Sequence, residues 1–203
     1  MTNVIQYNDV MIDIETLDTS PDAVVLSIGA VLFNAHEHER WADIEADKDR
    51  HFHQALNCTS QVSIGRTISV STVFWWLDRS KAAQSALLNR QRFQVADVLQ
   101  ELNRFVYGVQ NVWANGPSFD LTILRSLYKD FEIEFELGYW QDRDYRTALT
   151  MAGMGRRKNK PEFMIEHDPI QDCIFQIIGV QEATWRIENN NSNTQSTSTF
   201  QAN

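Results

Sequence analysis

The segment Asp9–Thr16, DVMIDIET, constrains the fold more than any other stretch of the chain. It is a short apolar run bounded by turn formers, the pattern of a buried strand. Yet Asp13 and Glu15 stand two residues apart within it. Side chains alternate across a strand, so both carboxylates leave the same face. Two acids side by side on an apolar strand repel each other and resist desolvation. Such a pair calls for a compensating cation, and a hard, oxygen-preferring ion such as Mg²⁺ or Mn²⁺ suits it best. The plainer reading is that one acid faces solvent at the strand end.

The rest of the chain supplies the layers around that strand. After the turn LDTSPDA, Val24 to Asn34 reads as a second strand, joined to the first by a short hairpin. A third is expected near His51 to Leu56. Residues 67–78, TISVSTVFWWLD, predict a helix capped by Ser69 or Ser71. Arg92 to Tyr107 has apolar residues at helical spacing and ends at Gly108. A short strand, Val109 to Ala114, leads through Asn115-Gly116-Pro117 into an amphipathic helix over Leu121 to Tyr128. Helices are also expected over Asp144 to Met151 and Pro169 to Trp185. Strands first, then alternating helix and strand, give an α/β class: a mixed sheet with antiparallel N-terminal strands, flanked by helices. The 203 residues suit one domain, placed at 1–188. In 189–203, thirteen of fifteen residues are Asn, Ser, Thr or Gln and none is charged, so this polar tail is expected to be disordered.

Charge narrows the partners. The net charge of −9 has the wrong sign for holding nucleic acid by bulk electrostatics. A nucleic-acid partner would need bound metal ions or a small basic patch. Arg156, Arg157, Lys158 and Lys160 form the densest basic cluster, which serves either as a substrate contact or as a solvated loop. The two cysteines, Cys58 and Cys173, form no CxxC pair, which fits a reducing compartment. No apolar run is long enough for a membrane span, and no signal-peptide pattern opens the chain. A soluble, cytoplasmic chain with no membrane partner is expected.

Two further groups stand out. Asp120, in VWANGPSFDLTILRSLY, lies just inside a helix that follows a strand and a turn. His167 and Asp172, in EHDPIQDCIFQIIG, flank the start of the last helix. Taken singly, each has a structural explanation: acids in a first helical turn favour the helix dipole, and His167 is an ordinary loop histidine. His36, His38, His51 and His53 are read as exposed alternation without function. For Trp75 and Trp76 the core is favoured, although at most one could stack on a base, because neighbours on a helix point about 100° apart.

Together, the Asp-x-Glu-Thr strand, the Asp opening a later helix and His-x-x-x-x-Asp at the last helix resemble the DEDDh family of 3′→5′ exonucleases, which have the ribonuclease H-like fold. The likeness covers roughly Asp9 to Gly179. His167 stands five residues before Asp172, as in the histidine type. The tyrosine type would place Tyr where Asp168 stands. FWWLD at Phe74–Asp78 and WANGPSFD at Trp113–Asp120 are most similar to phage exodeoxyribonuclease A and to bacterial relatives described as exoribonucleases.

The resemblance implies hydrolysis of single-stranded DNA or RNA from its 3′ end, releasing nucleoside 5′-monophosphates. Two ions, Mg²⁺ or Mn²⁺, about 4 Å apart would be held by Asp13, Glu15, Asp120 and Asp172, with Asp13 shared between them. His167 would be the general base for the attacking water. Carboxylates nearby would raise its pKa and cations lower it, a balance the sequence leaves open. Thr16 would contact the terminal nucleotide and Leu17 would wedge against its base. Arg156 and Arg157 would touch the backbone. Relatives include dimers, so a second copy is among the expected partners. The competing readings are a ribonuclease H-like binding module without catalysis and a phosphodiesterase for dinucleotides.

Overall fold

The computed structural model describes residues 7–155 and 160–198, with side chains as far as 190. Arg156, Arg157 and Lys158, three of the expected backbone contacts, lie outside the described residues. Among the described residues the sheet has six strands: β1 (Asp9–Thr16), β2 (Val25–Phe33), β3 (His51–Leu56), β4 (Arg92–Phe93), β5 (Asn111–Ala114) and β6 (Asp142–Asp144), in the order β4-β3-β2-β1-β5-β6. β1 pairs antiparallel with β2, and β2 with β3; the other pairings are parallel. The α/β mixed sheet expected from the sequence is therefore present, with β1 near its centre.

Alternation along β1 sorts its residues onto two cores. Val10, Ile12 and Ile14 join one cluster beneath helices α5 (Val95–Phe105) and α6 (Asp120–Asp130). Met11, with Val31 and Phe33 of β2, joins a second cluster under α1 (Trp41–Ala46), α7 (Tyr145–Met151) and α8 (Pro169–Ser198). Asp13 and Glu15 continue the Met11 row, so they emerge on the α8 face at the carboxyl end of β1. There the β1–β2 register shifts between Glu15 and Thr16. An irregularity of this kind bends the strand and re-aims its side chains.

Several short elements differ from the sequence expectation. Arg92 and Phe93 pair with β3 as an edge strand, and the helix begins only at Val95. The helices α1, α2 (Cys58–Ser63) and α4 (Lys81–Leu88) are one or two turns long, too short to carry a clear 3.6-residue period. α3 (Val70–Leu77) begins after Ser69, whose hydroxyl pairs with Ser71 Oγ at 2.7 Å instead of capping the helix. Asp144 caps α7, accepting from Arg146 N at 3.1 Å. α8 continues to Ser198, into the polar segment that composition sets apart at 189. Propagating a helix adds one backbone bond per residue and needs no buried partner.

One close approach sets the position of α8. Gly29 faces Asp13 across the β1–β2 pair. A Cβ at Gly29 would lie 2.4 Å from Pro169 Cβ and 2.9 Å from Pro169 C. The missing side chain lets the first turn of α8 rest on the sheet beside the acids. Gly29→Ala is expected to push that turn away and destabilise the protein by about 1–3 kcal/mol, as overpacked sites do. Thermal melting checks this; an unchanged Tm would show that Pro169 can yield freely.

Candidate active site

Three segments distant in sequence converge on one cavity of about 420 Å³. β1 supplies Asp13 and Glu15. The turn after β5 supplies Asn115 and leads to Asp120, the first residue of α6, whose Oδ1 accepts Ile14 N at 3.3 Å. That bond ties the start of α6 to β1, so Asp120 faces the two acids although α6 itself packs on the other core. The entry to α8 supplies His167 and Asp172. His167 has a positive φ of 64°, an uncommon conformation for a residue with a side chain. Its backbone N donates to Asp172 Oδ2 at 2.9 Å. Asp168 accepts from Ile170 N at 3.1 Å and Gln171 N at 3.2 Å, closing the first turn of the helix.

The cavity places acids together faster than it compensates them. Burial, then Asp172 and Asp120, push the Asp13 carboxyl well above its ordinary range. Glu15 is pushed the same way by burial and by Asp13. Asp120 is raised to about 7, chiefly by burial, against the bond from Ile14 N. Positive charge comes from Lys160, whose Nζ lies 2.9 Å from Asp172 Oδ1 and 3.7 Å from Glu166. Gln176 Nε2 donates to Asp13 Oδ1 at 3.3 Å. This donor set suits hard divalent ions: carboxylate oxygens, partly buried, with few hydrogen-bond donors for their number among the described residues. One ligand atom from each of Glu15, His167 and Asp172 also lies within 4.8 Å of the other two.

Burial weighs more on His167 than its charged neighbours do. Burial lowers its pKa, and Lys160 acts with burial, while Asp172 opposes them. Its ring lies 4.8 Å from that of Trp75 and 5.9 Å from that of Trp76, both edge-on. The expectation that both tryptophans are core needs correction. Trp76 is buried, with Nε1 donating to Thr16 O at 2.9 Å. Trp75 is 40% exposed and helps line a second cavity with Thr16, Trp76 and Phe119. This cavity shares Ile14, Glu15 and Phe119 with the first. The helical turn between the two tryptophans sends one inward and the other to the site.

Of the other expected residues, Thr16 lines the second cavity, and Leu17 packs against Leu26, Trp76 and Leu87. Sequence reasoning missed Gln176 and Arg146, and it placed Lys160 in the basic cluster without linking it to Asp172. Gln176 follows Asp172 by one helical turn, a spacing that puts both on one face. The signal was readable once Asp172 was chosen. His36 pairs instead with Glu188 at 2.7 Å, and His51 with Ile44 O at 2.9 Å.

Comparison with known proteins bears on the family and the fold. A family model described as the 3′-5′ exoribonuclease Rv2179c-like domain matches residues 8–184. The RNase domain of the yeast Pop2 protein is similar in structure, with a TM-score of 0.56 and 13% identity over 88% of this chain and 77% of that one. The nuclease domain of 3′hExo, a DEDDh family member, bound to rAMP, gives a TM-score of 0.49 and 14% identity over 87% and 92%. At these identities the likeness to Pop2 is one of fold, the ribonuclease H-like fold that the sequence led us to expect. No curated protein matches the chain.

The raised carboxyls give a pH dependence of stability without metal. A carboxyl whose folded pKa lies above its unfolded value favours folding when protonated. That contribution is complete below the unfolded value and is lost as pH rises through the folded one. With Asp120 shifted from 3.8 to about 7, and Asp13 and Glu15 also raised, Tm in chelator should fall as pH climbs from about 4 past 7. Added Mn²⁺ should reverse the slope, because it binds the deprotonated acids. Melting curves across that range check it; a profile that is flat in chelator would contradict the charge balance drawn here.

Proposed function

We propose, from the premise that the chain belongs to the 3′-5′ exoribonuclease Rv2179c-like family, that it degrades single-stranded nucleic acid from the 3′ end, RNA foremost, with two Mg²⁺ or Mn²⁺ ions held by Asp13, Glu15, Asp120 and Asp172. Membership makes it a 3′-5′ exonuclease, a hydrolase acting on nucleic acid. The family's description favours RNA over DNA. Among the described residues, no helix is long and apolar enough to cross a membrane. The observation that carries the reading is the meeting of four carboxylates and His167, from three distant segments, around one cavity.

Divalent ions bound there would neutralise charge on the phosphate and make water a better nucleophile. The protein's own groups do the rest. Asp13 and Glu15 present oxygens from a rigid strand, and Asp120 and Asp172 face them from helix starts. His167, kept neutral by burial, takes the proton of the attacking water; a base must be unprotonated to act. The terminal nucleotide enters the second cavity, where Trp75 and Phe119 offer apolar surface for its base and Thr16 forms part of the wall. Leu17, packed against Trp76, backs that wall. The product is a nucleoside 5′-monophosphate.

The geometry offers His167 a second role, as a metal ligand beside Glu15 and Asp172. One variant separates the two. As a base, His167→Ala loses about 10²–10⁴-fold in turnover and keeps the Mn²⁺ stoichiometry of the wild type by calorimetry. Loss of one bound Mn²⁺ would assign it to the metal instead. The activity itself is tested with 5′-labelled single-stranded RNA and DNA of one sequence. Wild type with Mg²⁺ or Mn²⁺ should give a descending ladder and Asp13→Ala none; intact substrate with wild type would defeat the proposal.

A further inference from the structure

Two cations of the described residues line the catalytic cavity, and their situations differ. Lys160 is bonded to Asp172. Arg146, on α7, has no carboxylate within ion-pairing distance among the described residues, whereas Arg50, Arg66 and Arg125 are paired with Glu39, Asp130 and Asp142. Its side chain is nevertheless held in place. Nε donates to Asn115 Oδ1 at 3.0 Å. The guanidinium lies against Gly116, where a Cβ would meet Nη1 at 3.1 Å and Nη2 at 3.4 Å. Gly116 has a φ of 105°, which favours glycine there, and the missing side chain leaves the guanidinium its seat. A neutral amide thus anchors one edge of the fork and leaves Nη1 and Nη2 for an incoming anion. The planar fork of arginine matches two phosphate oxygens.

The layout indicates which phosphate. The second cavity, proposed for the terminal nucleotide, shares Ile14, Glu15 and Phe119 with the catalytic cavity and does not reach Asn115, Arg146 or Thr150. Glu15 lines both cavities, and Asp13, Asp120 and Asp172 line only the catalytic one, with Arg146. Arg146 therefore stands on the far side of the reacting bond from the departing nucleotide. Resting on the exonuclease reading, we infer that Arg146 binds the phosphate next to the scissile one on its 5′ side, and so favours chains of three or more nucleotides over dinucleotides. Its charge also holds the neighbouring Asp120 carboxyl down against burial.

The test compares the dinucleoside monophosphate ApA, which has only the scissile phosphate, with ApApA, which has one more. With wild type, ApApA should have the lower KM. In Arg146→Met, KM for ApApA should rise about tenfold or more, the loss expected for charge-assisted hydrogen bonds, with kcat little changed. At saturating Mn²⁺ the constants for ApA should change far less than those for ApApA, because only the effect of the lost charge on Asp120 remains there. Arg146→Lys, which keeps the charge and loses the fork, should fall between, and equal Tm values report intact folding. An unchanged KM for ApApA would overturn the contact. An equal loss on ApA would move Arg146 to the scissile phosphate and overturn the assignment to the upstream one. Wild type that shortens the labelled single-stranded RNA but is inert on both short substrates would overturn this contact alone, and wild type inert on all three would remove the exonuclease reading with it.

Discussion

Mutual repulsion among buried carboxylates is the constraint around which this structure is organised. Asp13, Glu15, Asp120 and Asp172 share one cavity, and burial adds to their repulsion. A flexible scaffold would relieve it by moving them apart. Here each acid sits where the backbone has little freedom: two on a central strand, one at a helix start bonded to that strand, one in the first turn of a helix pressed onto Gly29. Lys160 and Gln176 offset part of the charge through Asp172 and Asp13. The remaining deficit is the physical basis of a cation site, since compensation is left to something that can arrive and leave.

Asp9 shows that the deficit is local. It occupies the same face of β1, four residues before Asp13, and is also buried. Its oxygens accept from Ala35 N, Asn111 Nδ2 and Trp113 Nε1 at 2.8–3.1 Å. A carboxylate with three donors is satisfied and holds strands and loops together. Among the described residues Asp13 has one donor, at 3.3 Å, and other acids around it. Identical residue types on one strand face thus serve as structural clamp and candidate ligand, and the count of donors tells them apart.

This contrast also explains what the sequence could and could not reveal. β1, the hairpin, β3 and the start of α8 were legible because each has a clear local pattern. β4 and β6, with two and three residues, depend on the strands they join and have no pattern of their own. The candidate acids and His167 were legible as a spaced set resembling a known family. Gly29, Arg146 and the pairing of Lys160 with Asp172 were not, because their significance lies in contacts between segments distant in sequence. The tryptophan pair failed for a related reason. A helical period says that Trp75 and Trp76 diverge, but only packing decides that His167 stands beside the outward one.

The same geometry reconciles an acidic protein with a polyanionic substrate. With a net charge of −9, long-range attraction for nucleic acid is absent, and approach is at best neutral. Affinity must then come from short-range contacts made once a 3′ end is inside the cavity: ions on the carboxylates, aromatic surface at Trp75 and Phe119, and cations kept at the wall. Each of these acts over a few ångströms and requires a strand narrow enough to enter. On the proposed reading, the acidity that would let the site hold metal would also select for free single-stranded ends.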